Sequence, residues 1–230
     1  MISHHKACGR KNWGKTWQSL QKIEQARATQ QVDLDVYPYT ASSTVLLAEF
    51  VARAERVTIT WSHSAPECTG QDFEDIKQRW GLGTAATIER LNPAGAIYHQ
   101  MDDEDLHRVM QYAPSMIGSD GLPKDERPHP RLWGTFARVL GHYCRDMKLF
   151  SLEQAVQKMT GKPASVFGLA DRGVIREGAY ADLVLFDPAT VIDNASYDHP
   201  TRASSGIIEV ICNGVSVYCL LYTSPSPRDS

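Results

Sequence analysis

The chain has 230 residues and a mass of 25.6 kDa, with 24 Lys and Arg against 27 Asp and Glu, a formal net charge of −3. No basic block supplies the phosphate-facing charge of a nucleic-acid binder, so no nucleic-acid partner is expected. With 42% hydrophobic and 22% charged residues the composition is that of a folded globular protein. No run approaches the roughly 18 unbroken apolar residues of a membrane span, and the start lacks an apolar signal core. Five scattered cysteines without a Cys-x-x-Cys pair form neither a disulfide framework nor a zinc ribbon, so a reducing, cytoplasmic setting is the simplest expectation.

In chain order, Met1-Ile2 reads as the end of a buried strand, closed by the polar Ser3-His4-His5-Lys6. Asn12 is placed to cap a helix whose apolar stripe is Trp13, Trp17, Leu20, Ile23 and Ala26. Residues 32–37 then alternate as a strand stopped by Pro38. Strand, helix, strand is the rhythm of a parallel sheet. Between about residues 40 and 92 the rhythm changes, with a strand at 56–61 and short helices at 72–80 and 84–91, read as an insertion. The rhythm is expected to resume with a strand at 96–98, a helix at 102–112, a strand at 115–119 and the Asp120-Gly121 turn. Helical stretches follow at 132–146 and 152–160. After Leu169 the pattern is all β, with strands at 173–175 and 181–186 and a hairpin of 207–212 with 215–218 around Asn213-Gly214. The proline-containing end, 219–230, is expected to be unstructured or foreign.

Parallel β/α folds gather function at the carboxyl ends of their strands. Three such places carry polar residues: Ser3 to Lys6, Tyr37-Pro38-Tyr39 and Ser119-Asp120-Gly121. A neutral imidazole at His4 suits zinc, and a hydrogen-bonded structural histidine fits the same local sequence. Asp120 can serve as a metal-bridging general base, or simply close an Asp-Gly turn. Lys6, Tyr37 and Arg131 together offer two cations and a hydroxyl, enough to grip a carboxylate, and equally common in a solvated loop.

Longer motifs narrow these alternatives. Ile2-Ser3-His4-His5-Lys6 with Asn12-Trp13-Gly14, Asp35-Val36-Tyr37-Pro38-Tyr39-Thr40-Ala41, Ile117-Gly118-Ser119-Asp120-Gly121-Leu122-Pro123 and His129-Pro130-Arg131-Leu132-Trp133-Gly134 resemble the N-acyl-D-amino-acid deacylases of the metal-dependent amidohydrolase superfamily. So does Ala181-Asp182-Leu183-Val184-Leu185-Phe186, a block shared across the wider superfamily. The resemblance runs from Ile2 to about Val217 and implies an α/β fold. Residues 1–168 would form the carboxyl-terminal part of a TIM-type (β/α)8 barrel with its insertion, and 169–218 part of a small β-domain. It implies zinc (Zn2+) and a small N-acyl-D-amino acid as substrate; the lack of a long apolar run leaves no membrane partner expected. By the same match, His4 is a metal ligand and Asp120 both the catalytic base and a contact to a weaker metal position. Lys6, Tyr37, Arg131 and Ser43 match residues that hold the substrate. Complete family members carry an early His-x-His, a cysteine ligand and a further histidine; this chain has none of them in place. The expectation is therefore a truncated chain, inactive by itself. A hydantoinase-like or dipeptidase-like hydrolase and a non-catalytic relative are the alternative readings.

Overall fold

The computed structural model describes residues 1–220; the greater part of the expected 219–230 tail lies outside the described residues. The body of the molecule is built on parallel strands. Ile2 bridges Leu34 of β1 (Leu34–Val36), and β1 pairs in parallel with β5 (Ser115–Ile117), Leu34 opposite Ser115 and Val36 opposite Ile117. Ile2 itself is 37% exposed rather than buried. Between Ile2 and β1 runs α1 (Thr16–Arg27), and before β5 runs α5 (Asp103–Gln111). Leu34 and Val36 turn into a core with Leu20 and Ile23 of α1 and Leu106, Val109 and Met110 of α5. Each fully buried side chain of this size stabilises by roughly 1.5–3 kcal/mol.

Two expectations for α1 change on folding. Trp17 is 56% exposed and lies off the buried stripe. Asn12 sits in a short 3-10 turn and does not cap the helix. The start of α1 is held instead by the buried Asp105 of α5, which accepts from the backbone N–H of Gly14 at 2.6 Å and of Thr16 at 3.3 Å and from the Thr16 hydroxyl. A carboxylate there meets the orphan donors of the first turn and complements its dipole.

The insertion forms its own layer. β2 (Ala41–Val45), β3 (Arg56–Ser62) and β4 (Ala94–His99) make an antiparallel sheet in the order β2, β4, β3. The short α2 (Ala48–Val51), α3 (Phe73–Trp80) and α4 (Thr84–Leu91) accompany it. Its core holds Ile59, Cys68, Ile76, Leu91, Ala96 and Tyr98. The expected barrel strand at 96–98 is thus corrected: it belongs to the centre of the inserted sheet, which ends at His99 and not at 92.

After β5, α6 (Arg131–Arg138) continues into a π-helical stretch, Val139–Asp146, where one unbroken helix was expected. Within it, a Cβ on Gly141 would stand 2.2 Å from the Val191 carbonyl oxygen. α7 (Leu152–Met159) and α8 (Gly161–Val166) follow. No strand forms at 173–175: Gly173 adopts φ 76° and Ile175 is 93% exposed. The last sheet is β6 (Leu183–Phe186), β7 (Ile207–Cys212) and β8 (Val215–Cys219), antiparallel in that order. The expected Asn213-Gly214 hairpin is present, and its second strand runs on to Cys219. Among the described residues, no helix is long and apolar enough to cross a membrane.

Candidate active site

The loops that follow Ile2, β1 and β5 meet at one end of the parallel strands, and α6 and β2 bring further residues to it. His4 and Asp120 both adopt a left-handed backbone, φ 45° and 48°, which is uncommon outside glycine. Such conformations persist where the surroundings hold them, often at functional sites. Asp35 of β1 does the holding at His4. Its carboxylate accepts the His4 backbone N–H and the Ser3 hydroxyl, the latter at 3.3 Å.

Five of the six expected residues form a continuous series of contacts. Lys6 Nζ lies 2.7 Å from His4 Nδ1 and donates to the His4 carbonyl at 2.6 Å. The same ammonium stands 5.1 Å above the Tyr37 ring, and the Arg131 guanidinium stacks on that ring at 4.5 Å. Arg131 Nη2 pairs with Asp120 Oδ2 at 3.0 Å. It also donates to the Ser43 backbone carbonyl at 3.3 Å, which brings in the sixth residue through its main chain. His5 points away, with Nε2 2.9 Å from Ser19 Oγ of α1.

The electrostatics are uneven. The Arg131 side chain is 1% exposed while that of Asp120 is 40% exposed. A buried cation thus meets a carboxylate at the solvent boundary. Burial holds the Lys6 ammonium below its ordinary range, opposed by the nearby Cys8 thiol and by Asp120. Burial also pushes the Tyr37 phenol far up, keeping it a neutral hydroxyl. Tyr37 Oη, Ser43 Oγ and the Nε and Nη1 atoms of Arg131 are buried without a hydrogen-bond partner. Such orphaned groups cost about 1–3 kcal/mol each unless something fills them. Together they offer donors suited to an oxyanion.

His4 and Asp120 are the right kinds of donor for zinc, imidazole nitrogen and carboxylate oxygen. No group of three His, Cys, Asp or Glu residues that could hold a metal ion stands together among the described residues. A zinc site normally takes three or four protein ligands. The described residues therefore fit part of a zinc shell and not the whole of one.

The sequence pattern of the amidohydrolase family matches residues 22–218. The chain belongs to the amidohydrolase family. The D-aminoacylase of Alcaligenes xylosoxydans xylosoxydans is 52% identical over 218 residues, 95% of this chain and 45% of that relative. A D-aminoacylase structure, described by its binuclear metal center with one-metal activation and second-metal attenuation, superposes with a TM-score of 0.94 at 52% identity. The N-acyl-D-glutamate deacylase of Bordetella bronchiseptica, solved with zinc and a phosphonate mimic of the tetrahedral intermediate, gives 0.94 at 49% identity. Each alignment covers 98% of this chain and 48% of the solved one. This member of the amidohydrolase family thus spans less than half the length of the relatives it matches, and over that span its α/β fold is theirs.

Two residues of this site escape sequence reasoning. Asp35 orders the His4 loop, and His129 lies beneath Arg131. Asp35 leaves a trace as a polar residue inside the alternating strand. His129 leaves one as the middle of Pro128-His129-Pro130.

Proposed function

We propose that the chain supplies the carboxyl-terminal part of a TIM-type (β/α)8 barrel in a zinc-dependent N-acyl-D-amino-acid deacylase. The reaction is hydrolysis of the amide to a carboxylate and a free D-amino acid. The observation that carries this reading is the buried, partly unsatisfied guanidinium of Arg131, paired with Asp120 beside Lys6 and Tyr37. The D-configuration of the substrate follows the similarity to D-aminoacylase and N-acyl-D-glutamate deacylase.

In this reading His4 and Asp120 contribute two of the zinc ligands, Asp120 at the weaker position. Zinc, when bound, supplies Lewis-acid polarisation of the amide and a water more acidic than bulk water. Asp120 takes the proton of the attacking water and returns it to the leaving amine as the C–N bond breaks. Its carboxylate is partly exposed, at the solvent boundary beside Arg131, where such a proton transfer is open to it. Lys6 and Arg131 grip the substrate carboxylate, Arg131 with its planar fork and Lys6 as a compact charge. The hydroxyls of Tyr37 and Ser43 complete the wall.

In a parent enzyme carrying the whole barrel, Asp120→Asn should lower kcat on N-acetyl-D-methionine by about 10²–10⁴-fold, the usual worth of general acid–base catalysis. Unchanged turnover would remove the reading. The 230-residue chain alone, incubated with zinc, should not turn over the same substrate, because it offers two ligands where three or four are needed. Normal turnover would show that a complete site assembles without further ligands.

A further inference from the structure

The grip on the substrate carboxylate has a support of its own. His129 is 2% exposed, and both of its ring nitrogens are engaged. Nδ1 accepts the backbone N–H of Arg131 at 3.0 Å, and Nε2 donates to the Ala41 carbonyl at 3.0 Å. Only the neutral imidazole protonated on Nε2 does both. Burial, with the adjacent Arg131 charge, holds the group well below its ordinary pKa and favours that neutral form.

The two partners lie on different elements. Arg131 is the first residue of α6, and Ala41 is the first residue of β2. Two residues further along β2, the Ser43 carbonyl accepts from Arg131 Nη2 at 3.3 Å. His129, Ala41, Ser43 and Arg131 thus close a ring that joins the start of the helix to the strand. Tyr39 and Tyr197 pack edge-on against the imidazole, with centroids at 5.1 and 5.2 Å. The ring is thereby fixed in both orientation and tautomer.

We propose that His129 is a positioning residue for the carboxylate grip: its two hydrogen bonds set the spacing between the helix that carries Arg131 and the strand that carries Ser43. This rests on the role given to Arg131 above. A histidine that merely fills space would support the fold without acting selectively on recognition of the carboxylate. Among the described residues, Arg131 is the one arginine with buried donors left without a partner, and His129 supports it.

The test is kinetic, in the zinc-loaded parent enzyme, with thermal melting as a check on folding. His129→Phe keeps the packing and removes both hydrogen bonds. It should raise KM for N-acetyl-D-methionine about 10–100-fold with kcat changed by less than about 3-fold, the pattern of lost uniform binding. On the corresponding carboxamide, which lacks the anionic group, kcat/KM should match the wild type. His129→Asn, whose side-chain oxygen can still accept the Arg131 N–H, should recover part of the affinity, and it carries the same KM and kcat comparison if the Phe variant does not fold. In an Arg131→Ala background, His129→Phe should add nothing. If the two losses multiply, or the carboxamide suffers as much as the acid, His129 acts independently of Arg131 and this inference falls while the carboxylate grip stands. If Arg131→Ala leaves KM for the acid unchanged, the grip itself falls and the inference with it.

Discussion

The parallel-strand body and the inserted sheet solve burial in different ways. The insertion closes an apolar core around Ile59, Ile76 and Leu91, each 0% exposed, and its buried polar residues are neutral, among them Thr60, Ser62 and Thr87. The body buries ionisable groups: Asp33, Asp105, Lys158, and at its junction with the insertion His129 and Arg131. Asp105 and Lys158 serve architecture. Asp105 holds α1, while Lys158 Nζ donates to the Tyr112 carbonyl at 2.8 Å and to the Ser115 carbonyl and hydroxyl at 3.1 Å. Arg131 is the exception, buried with donors to spare. The lesson is that a buried charge by itself does not mark a site. A buried charge left incompletely paired, at the carboxyl end of the strands, is the sharper sign.

The contrast can be broken most forcefully in the insertion. Ile59→Ala removes a fully buried side chain from a core without polar compensation. It should destabilise by about 2–5 kcal/mol in chemical denaturation. A much smaller loss would mean that this core is loosely packed.

The body should answer to pH. Burial lowers the Lys158 pKa to about 8. The unfolded chain holds that proton up to the ordinary lysine value, so between these two values the unfolded state binds more protons. Stability should therefore gain from this group as the pH rises above about 8 towards the ordinary lysine range. The burial penalty on the charged form is fully felt below that window. Lys158→Met should flatten that part of the melting profile, and an unchanged profile would assign the pH response elsewhere.

The smallest effect belongs to the terminal sheet, where neither pattern holds. Val184 of β6 is 53% exposed and Val215 of β8 is 64% exposed. Val184→Thr should change stability by no more than about 0.5 kcal/mol, as for ordinary surface positions. A larger loss would mean that this face is covered in solution.

These differences also govern how much could be read from the sequence. Helices α1 and α5, strands β1 and β5 and the Asn213-Gly214 hairpin follow from local periodicity and turn chemistry. Strand β4 reads as a parallel barrel strand because its first five residues are buried, whereas it is a central antiparallel strand covered on both sides. The start of α1 is not legible locally because Asp105 reaches Gly14 across 91 positions, a pairing that local sequence does not encode. The π-helical stretch coincides with the close approach of Gly141 to Val191, likewise a tertiary event. The six candidate residues stand out in the sequence through motifs that preserve short neighbourhoods such as Ser3 to Lys6, and the fold brings them into one series of contacts. Asp35 and His129 do not stand out in this way, since what they contact are backbone groups, those of His4, Arg131 and Ala41, which local sequence does not mark.

One further feature bears on how such a protein can diversify. The Met101 backbone N–H donates to the Thr40 carbonyl at 3.1 Å, so the chain leaves for the inserted sheet and returns from it at adjacent points. A module with its two ends fastened side by side can be lengthened, trimmed or exchanged without stretching its host. Because Ser43 lies just inside that doorway and its carbonyl accepts from Arg131, each such exchange would also shift the backbone on which that guanidinium rests.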